Sequence, residues 1–160
     1  MRPSKKLFYK KFKSRLSQRH YDVALDAASA NFKNASVISS DIYVGVDMDD
    51  EQLERGQQQL YPGAIPLKAD VRQLDCHVPN NSVDLCISTH TISHLVEADV
   101  LDFLSSLAKL NKQGGDLIFN MRNEMFEKLE LHQFFRLRYK RVIVQRYRNV
   151  FSRTYESFRE

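Results

Sequence analysis

Three aspartates each close a short, mostly apolar run: Val23-Ala24-Leu25 runs into Asp26, Tyr43-Val44-Gly45-Val46 into Asp47, and Ile65-Pro66-Leu67-Lys68-Ala69 into Asp70. The middle one says most. Tyr43–Val46 is small, apolar and largely β-favouring, which predicts a buried strand. Asp49, Asp50 and Glu51 follow. Acids are favoured in the first turn of a helix, where unpaired N–H groups and the helix dipole attract negative charge. A buried strand that stops at a carboxylate and turns into a helix is the nucleotide-binding half of a doubly wound α/β fold. At the carboxyl end of such a strand Asp47 is placed to accept hydrogen bonds from a ribose diol. The alternative is that Asp47 only caps the helix that follows.

The rest of the chain supplies elements that could hold such a group. Its 160 residues fit one domain with a full core. Phe8, Phe12 and Leu16 are spaced by four and give a basic helix over Ser4–Arg19 a single apolar stripe, expected to pack across one edge of the domain. Residues 1–20 are therefore read as an N-terminal amphipathic helix and residues 21–160 as the main domain. In the latter, strands are predicted at Val23–Asp26, Tyr43–Asp47, Ile65–Ala69, Val83–Ser88 and Asp116–Asn120. Helices are predicted at Phe32–Ile38, Asp50–Leu60, Val96–Leu110 and Glu124–Tyr139. Tyr61-Pro62-Gly63, Pro79–Ser82 and Gln113-Gly114-Gly115 carry turn chemistry. Strands that alternate with helices imply a parallel sheet with right-handed crossovers. The last two β-rich runs, Arg141–Tyr147 and Val150–Phe158, are too close for a crossover helix and should pair antiparallel. The expected fold is thus a Rossmann-like, doubly wound, mostly parallel seven-stranded sheet with a C-terminal antiparallel pair.

Charge is unevenly spread over a chain whose net charge is +4. Eight basic residues, Arg2 to Arg19, precede the first acid, Asp22, and Arg136 to Arg159 form a second basic stretch. Basic ends suit an anionic ligand such as nucleic acid, phospholipid headgroups or a phosphorylated molecule, or serve only solubility and local ion pairs. Cys76 and Cys86 have no metal-ligand spacing, and no metal site is expected. No apolar run approaches the roughly 20 residues needed to span a bilayer, and no secretory signal is apparent, so a reducing cytoplasm is the expected setting. A Gly-x-Ser-x-Gly elbow, a phosphate loop and a His-Glu-x-x-His motif are all missing.

The order of elements resembles the class I S-adenosylmethionine-dependent methyltransferases, from about Tyr21 to the C-terminus, in a small single-domain form. LDAASAN at Leu25–Asn31 stands where that family has an acidic residue and a glycine-rich loop. GVDMDDEQL at Gly45–Leu53, KADVRQL at Lys68–Leu74 and SVDLCISTHTISHL at Ser82–Leu95 are similar to its next three motifs. The resemblance implies S-adenosyl-L-methionine as cofactor, lined by Asp26, Ala28, Ala30, Asp47, Met48, Asp70, Val71 and Ser88. Asp47 would take the ribose, Met48 would lie against the adenine, Asp70 would take the adenine amino group and the Val71 N–H a ring nitrogen. Lys68 and Arg72, on either side of Asp70, are expected to be solvated.

The first motif departs from the pattern, with Ala28, Ala30 and Phe32 where the family is rich in glycine. Alanine adds one methyl and penalises a left-handed backbone by roughly 1 kcal/mol, which is tolerable if the φ angles here are negative. Phe32 either fills the space of the methionine tail or points into the core. A nicotinamide-binding Rossmann fold would need those glycines more strictly, because a pyrophosphate must sit on the helix N-terminus.

Methyl transfer asks the protein mainly for alignment, with a general base only where the acceptor must lose a proton. His90 and His94, after the fourth strand, are the candidate catalytic residues, since imidazole titrates near neutrality. Of the two, His90 is the one expected to reach the cleft, with His94 packing beneath it; the alternative is that both merely satisfy hydrogen bonds in a turn. The Asn/Asp-Pro-Pro-aromatic run carried by members of the resembled family that methylate planar amide or base nitrogens is not present, so the resemblance argues against adenine or glutamine nitrogen as acceptor. The resulting expectation is methyl transfer to a small-molecule, glycan or lipid-linked acceptor, with a homodimer left open. The alternative is a catalytically inactive methyltransferase-like domain that serves as a basic nucleic-acid or protein binding module.

Overall fold

The structure is a computed structural model that describes residues 9–10, 12–14, 16–59, 63–136, 139, 143–148 and 153–158. Phe8, the Tyr61-Pro62 turn and most of the basic residues at both ends lie outside the described residues.

Seven strands form one sheet in the order β3-β2-β1-β4-β5-β7-β6. Five are mutually parallel: β1 (His20–Ala27), β2 (Ser39–Asp47), β3 (Ile65–Lys68), β4 (Val83–Ser88) and β5 (Asn111–Arg122). β6 (Ile143–Arg148) and β7 (Arg153–Phe158) pair antiparallel, and β7 runs antiparallel to β5. The helices are α1 (Asp50–Gln59), α2 (Glu97–Leu110), α3 (Asn123–Lys128) and α4 (Leu131–Arg136). The chain winds outward from β1 to β3, then returns to lay β4 on the other side of β1. The switch point lies between β1 and β4, and ligands of such sheets sit beyond the carboxyl ends of the strands there.

Strand alternation sorts the side chains into two cores. Leu25, Ala27, Val46, Cys86, Leu117 and Phe119 pack on one face, under Val100, Phe103, Leu104 and Leu107 of α2. Ala24, Tyr43, Leu85, Ile87 and Ile118 pack on the other, under Phe12, Leu16, Phe32 and Leu53. The N-terminal helical residues therefore cover the middle of a sheet face, not an edge as expected: Phe12 and Leu16 are fully buried there. Among the described residues no helix is long and apolar enough to cross a membrane.

Two predicted helices differ. Phe32–Ile38 is a run of turns ending in a single 3-10 turn, Ala35–Val37, because Phe32 has φ 57, which no α-helix accommodates. Glu124–Tyr139 is broken into α3 and α4 by Glu130, at φ 49. β5 also starts earlier than predicted. Its register with β4 jumps between the pairs Val83–Asn111 and Leu85–Asp116, so Gln113-Gly114-Gly115 bulges out instead of separating helix from strand, with Gly114 at φ 87.

Candidate active site

The loop after β1 keeps the shape of a glycine-rich loop without its glycines. Ala28, Ala30 and Phe32 have φ 59, 51 and 57, so the condition of negative angles is not met and the alanines carry the left-handed strain. With His90 at φ 64, four of the six non-glycine residues of positive φ among the described residues lie at this end of the sheet. Each costs about 1–2 kcal/mol, so neighbouring contacts must hold the loop. The Ser29 N–H donates to the Val46 carbonyl at 2.8 Å, and the Ala30 N–H donates to Asp47 Oδ2 at 2.8 Å.

Phe32 supplies the third anchor, and the open question over its ring is answered by the core. It is 2% exposed and meets Tyr43 edge-on, with centroids 6.0 Å apart. The glycines that admit it are on other elements. A Cβ on Gly45 of β2 would lie 1.9 Å from the Phe32 ring, and one on Gly56 of α1 would lie 2.6 Å from the ring and from the Asn31 backbone.

Asp26 lies on the face of Ala24 and Tyr43 and is fully buried. Tyr43 Oη donates to its Oδ2 at 2.6 Å, and Asn34 Nδ2 donates to both oxygens at 3.0 and 3.1 Å. Burial pushes its carboxyl up to about 6, against the opposing pull of the Tyr43 hydrogen bond, the Lys33 ammonium and Asn34. Asn34 Nδ2 also reaches Thr89 Oγ1 at 3.1 Å, so the network ties the β1 loop to the β4 loop. Lys33 Nζ does the same, donating to the carbonyls of Ala28 at 3.3 Å and Thr89 at 3.2 Å. Expected as a cofactor ligand, Asp26 has no exposed surface here and acts on the loop.

Asp47, in contrast, is half-buried at the rim. Its Oδ1 accepts from the Asp49 N–H at 3.1 Å and its Oδ2 from Ala30. A carboxylate has about four acceptor positions, so each oxygen keeps capacity for a hydroxyl. Met48 beside it is 65% exposed, a flexible apolar side chain on the surface where the resemblance puts an adenine. Asp70 caps the 3-10 turn Val71–Cys76 through the Arg72 N–H at 2.9 Å. The Arg72 guanidinium grips both Asp70 oxygens and reaches Asp99 at 3.1 Å. Those side-chain hydrogen bonds hold the Asp70 carboxyl below the usual carboxylate range. Arg72 and Lys68 are exposed as expected, and each is also ion-paired, Arg72 with Asp70 and Lys68 with Asp50. Any adenine amino group at Asp70 has to share it with Arg72. Val71 opens the turn, and the first N–H groups of a helical turn are those its own ladder leaves over.

On the β4 side Ser88 is buried and its hydroxyl has no hydrogen-bond partner. The same holds for Ser29 in the β1 loop. His90 is half-buried and clasped by Asn120 of β5: its N–H donates to Asn120 Oδ1 at 2.7 Å, and its Nδ1 lies 3.3 Å from Asn120 Nδ2. Tyr9 from the N-terminal helical segment lies beside the ring, with centroids 6.5 Å apart, and donates to Asn34 Oδ1 at 3.5 Å. Burial raises the Tyr9 phenol, and a hydrogen bond with Thr89 opposes this. His94 is not packed beneath His90. It ends the 3-10 turn Ile92–His94 and is exposed.

Asp47, Met48, Asp70 and Val71 thus cluster where β2 and β3 end, and His90, Asn120 and Tyr9 where β4 ends, with Thr89 fully buried behind Asn34. Sequence reasoning missed Tyr9, Asn34, Tyr43 and Thr89. For Tyr43 a signal existed: two residues before Gly45 on a strand that pairs with β1, it had to share a face with Asp26.

The chain matches the methyltransferase domain family over residues 22–119 and belongs to it. S-adenosylmethionine is the cofactor that this membership implies. Among curated protein sequences none matches the chain. Among solved structures, an rRNA methylase from Streptococcus thermophilus is similar with a TM-score of 0.71 at 14% identity, over 100% of this chain and 97% of that one. A putative methyltransferase from Streptococcus mutans, in complex with SAH, has a TM-score of 0.68 at 13% identity, over 100% and 99%. The N-methyltransferase NodS from Bradyrhizobium japonicum, also in complex with SAH, has a TM-score of 0.69 at 12% identity, over 96% and 87%. At such identities the likeness is one of fold.

Proposed function

We propose that the protein transfers a methyl group from S-adenosylmethionine to a small-molecule, glycan or lipid-linked acceptor. The observation that carries this reading is Asp47: a half-buried carboxylate at the carboxyl end of β2, beside the switch point, with acceptor capacity to spare and an exposed Met48 next to it. The donor set fits the nucleoside half of the cofactor. Asp47 holds the ribose, Met48 covers the adenine, and Asp70 and Val71 offer an acceptor and an N–H to its edge. The methionine half falls to the backbone of the left-handed loop, since Asp26 is sealed behind Asn34 and Tyr43. Ala28 and Ala30 add only one methyl each to the path of a glycine loop. When bound, the cofactor supplies an activated methyl on a sulfonium. The chain aligns the acceptor, and His90 and Tyr9 are the partly exposed polar residues nearest to that role. Methyl-labelled S-adenosylmethionine offered with a panel of small-molecule, glycan and lipid-linked acceptors tests the proposal. Label in an acceptor, lost with Asp47→Ala, supports it. Label in none of the panel overturns the acceptor class.

A further inference from the structure

His20, Ser39 and Asp41 form a hydrogen-bonded chain at the opposite end of the sheet from Asp47 and His90. His20 opens β1 and is the register partner of Ser39, which opens β2. Register partners share a face of the sheet, and so do residues two apart on one strand, about 6.6 Å from each other. Ser39 and Asp41 therefore stand on the same face of β2, and the His20 ring bridges them. Ser39 Oγ lies 2.8 Å from His20 Nδ1, and Asp41 Oδ1 lies 2.9 Å from His20 Nε2. All three residues are exposed. An ionised carboxylate only accepts, so a neutral His20 keeps its proton on Nε2, facing Asp41, and leaves Nδ1 bare. The Ser39 hydroxyl then donates to Nδ1. A hydroxyl, a base within hydrogen-bond reach and a third group that orients the base are the parts of an activated nucleophile. Such sets are recognised by geometry and role, not by a sequence motif. His20 also lines a cleft of about 490 Å³, together with Arg19, Asp22, Asp84, Gln113 and Asp116. That volume is within the range of small-molecule sites, and these side chains make its lining polar.

We propose that Ser39 is a second-site nucleophile, with His20 as its general base and Asp41 positioning His20, and that it takes the acyl group of small polar esters seated in the cleft beside His20. An electron pair of Ser39 Oγ forms a bond to the ester carbonyl carbon while the hydroxyl proton passes to His20 Nδ1. The bond from that carbon to the leaving oxygen then breaks with its pair going to the oxygen, which takes the proton from His20. Water, deprotonated by the same nitrogen, releases the carboxylic acid and restores the Ser39 hydroxyl. Asp41 faces the imidazolium formed on the way and stabilises it. All three residues are open to water, so the gain is that of a general base, about a hundred- to ten-thousandfold over an ordinary surface serine. The chemistry is independent of the methyltransferase reading, whose residues stand at the carboxyl ends of the strands.

A fluorophosphonate offered to the full chain at pH 8, followed by intact mass and peptide mapping, reads the nucleophile directly. Its phosphorus bonds to the attacking oxygen and loses fluoride, so the adduct marks the residue that attacked. The expected result is a single adduct on Ser39, formed roughly a hundredfold faster than on any other serine. Ser39→Ala should carry none. His20→Gln should lose about that hundredfold, and Asp41→Asn should also slow labelling, both with melting curves like that of wild type. Label spread evenly over the serines, label on another residue, or wild-type labelling rates in both His20→Gln and Asp41→Asn overturns the proposal. If a variant unfolds, the position and rate of the adduct in the wild type decide. p-Nitrophenyl acetate tests the ester class: release of p-nitrophenolate by the wild type should exceed that by Ser39→Ala, and equal release overturns it. No S-adenosylmethionine enters these assays, so their failure leaves the methyltransferase reading standing, and a failure of that reading leaves Ser39 standing.

Discussion

Glycine at position 30 and glycine at position 32 should have opposite effects, although Ala30 and Phe32 share one backbone conformation, φ 51 and 57. A left-handed non-glycine residue costs about 1–2 kcal/mol. Glycine removes that strain but adds roughly 0.4–1 kcal/mol of unfolded-state entropy. Ala30→Gly should therefore gain about 0.5–1 kcal/mol. Phe32→Gly makes the same backbone gain and loses a ring that is 2% exposed, wedged over Gly45 and Gly56. Truncation of a buried phenylalanine costs about 3–5 kcal/mol, for a net loss of about 2–4 kcal/mol. Urea unfolding followed by circular dichroism measures both, with the change read from the midpoint at constant slope. Because the ring packs in the core, affinity for S-adenosylhomocysteine in Phe32→Gly should remain within a few-fold of wild type wherever the protein is folded. A destabilised Ala30→Gly would refute the strain argument. A Phe32→Gly protein as stable as wild type, or one that binds much more tightly, would refute the packing argument and return the ring to the cofactor space.

Two further outcomes follow from the buried groups. Asp26 has its carboxyl raised to about 6 by burial, above the ordinary value of about 3.9 in an unfolded chain. Between these values the folded state binds more protons, so stability should fall as pH rises from about 4 to 6 and level off above, by up to roughly 3 kcal/mol. Asp26→Asn should lose that slope in urea titrations across this range, and an unchanged slope would place the titration elsewhere. Deleting residues 1–19 removes Phe12 and Leu16, both fully buried. At about 3–5 and 2–5 kcal/mol for such truncations, the loss approaches the whole 5–15 kcal/mol of a typical domain. Residues 20–160 alone should show no cooperative melt, and a melt like that of the full chain would show that the segment is a detachable lid.

The sheet was legible because it follows local rules. Apolar runs closed by aspartates located β1, β2 and β3, with β2 ending at Asp47 and the other two ending within a residue of their predicted ends, and Val83–Ser88 is β4 to the residue. The loop after β1 was not, because alanine at positive φ is decided by partners elsewhere: the Val46 carbonyl and Asp47 pull its N–H groups in. Phe32 looked like the start of a helix, and its true place is set by Gly45 and Gly56, residues 13 and 24 positions downstream. A glycine inside a strand does signal close approach of another group, and Gly45 was readable in that sense, though not for which ring would come. Asp26, Asp47 and Asp70 look equivalent in sequence. Only burial and partners separate the sealed Asp26 from the rim-facing Asp47 and from Asp70 in the grip of Arg72. His90 and His94 likewise differ by tertiary context: one is clasped by Asn120 from another strand, the other faces solvent.

The central claim is that Asp47 holds the ribose of the cofactor, and calorimetric titration of S-adenosylhomocysteine into wild type and Asp47→Ala tests it most directly. Losing a charged acceptor from a diol should cost on the order of 2–3 kcal/mol, so the variant should bind roughly a hundredfold more weakly. Its melting curve is recorded alongside, because Asp47 also holds the Ala30 N–H. Saturable one-to-one binding in the wild type and that loss in a folded variant is the predicted result. Equal affinities in the two proteins would contradict the ribose assignment. No binding to the wild type would contradict the cofactor itself and leave the binding-module alternative in its place.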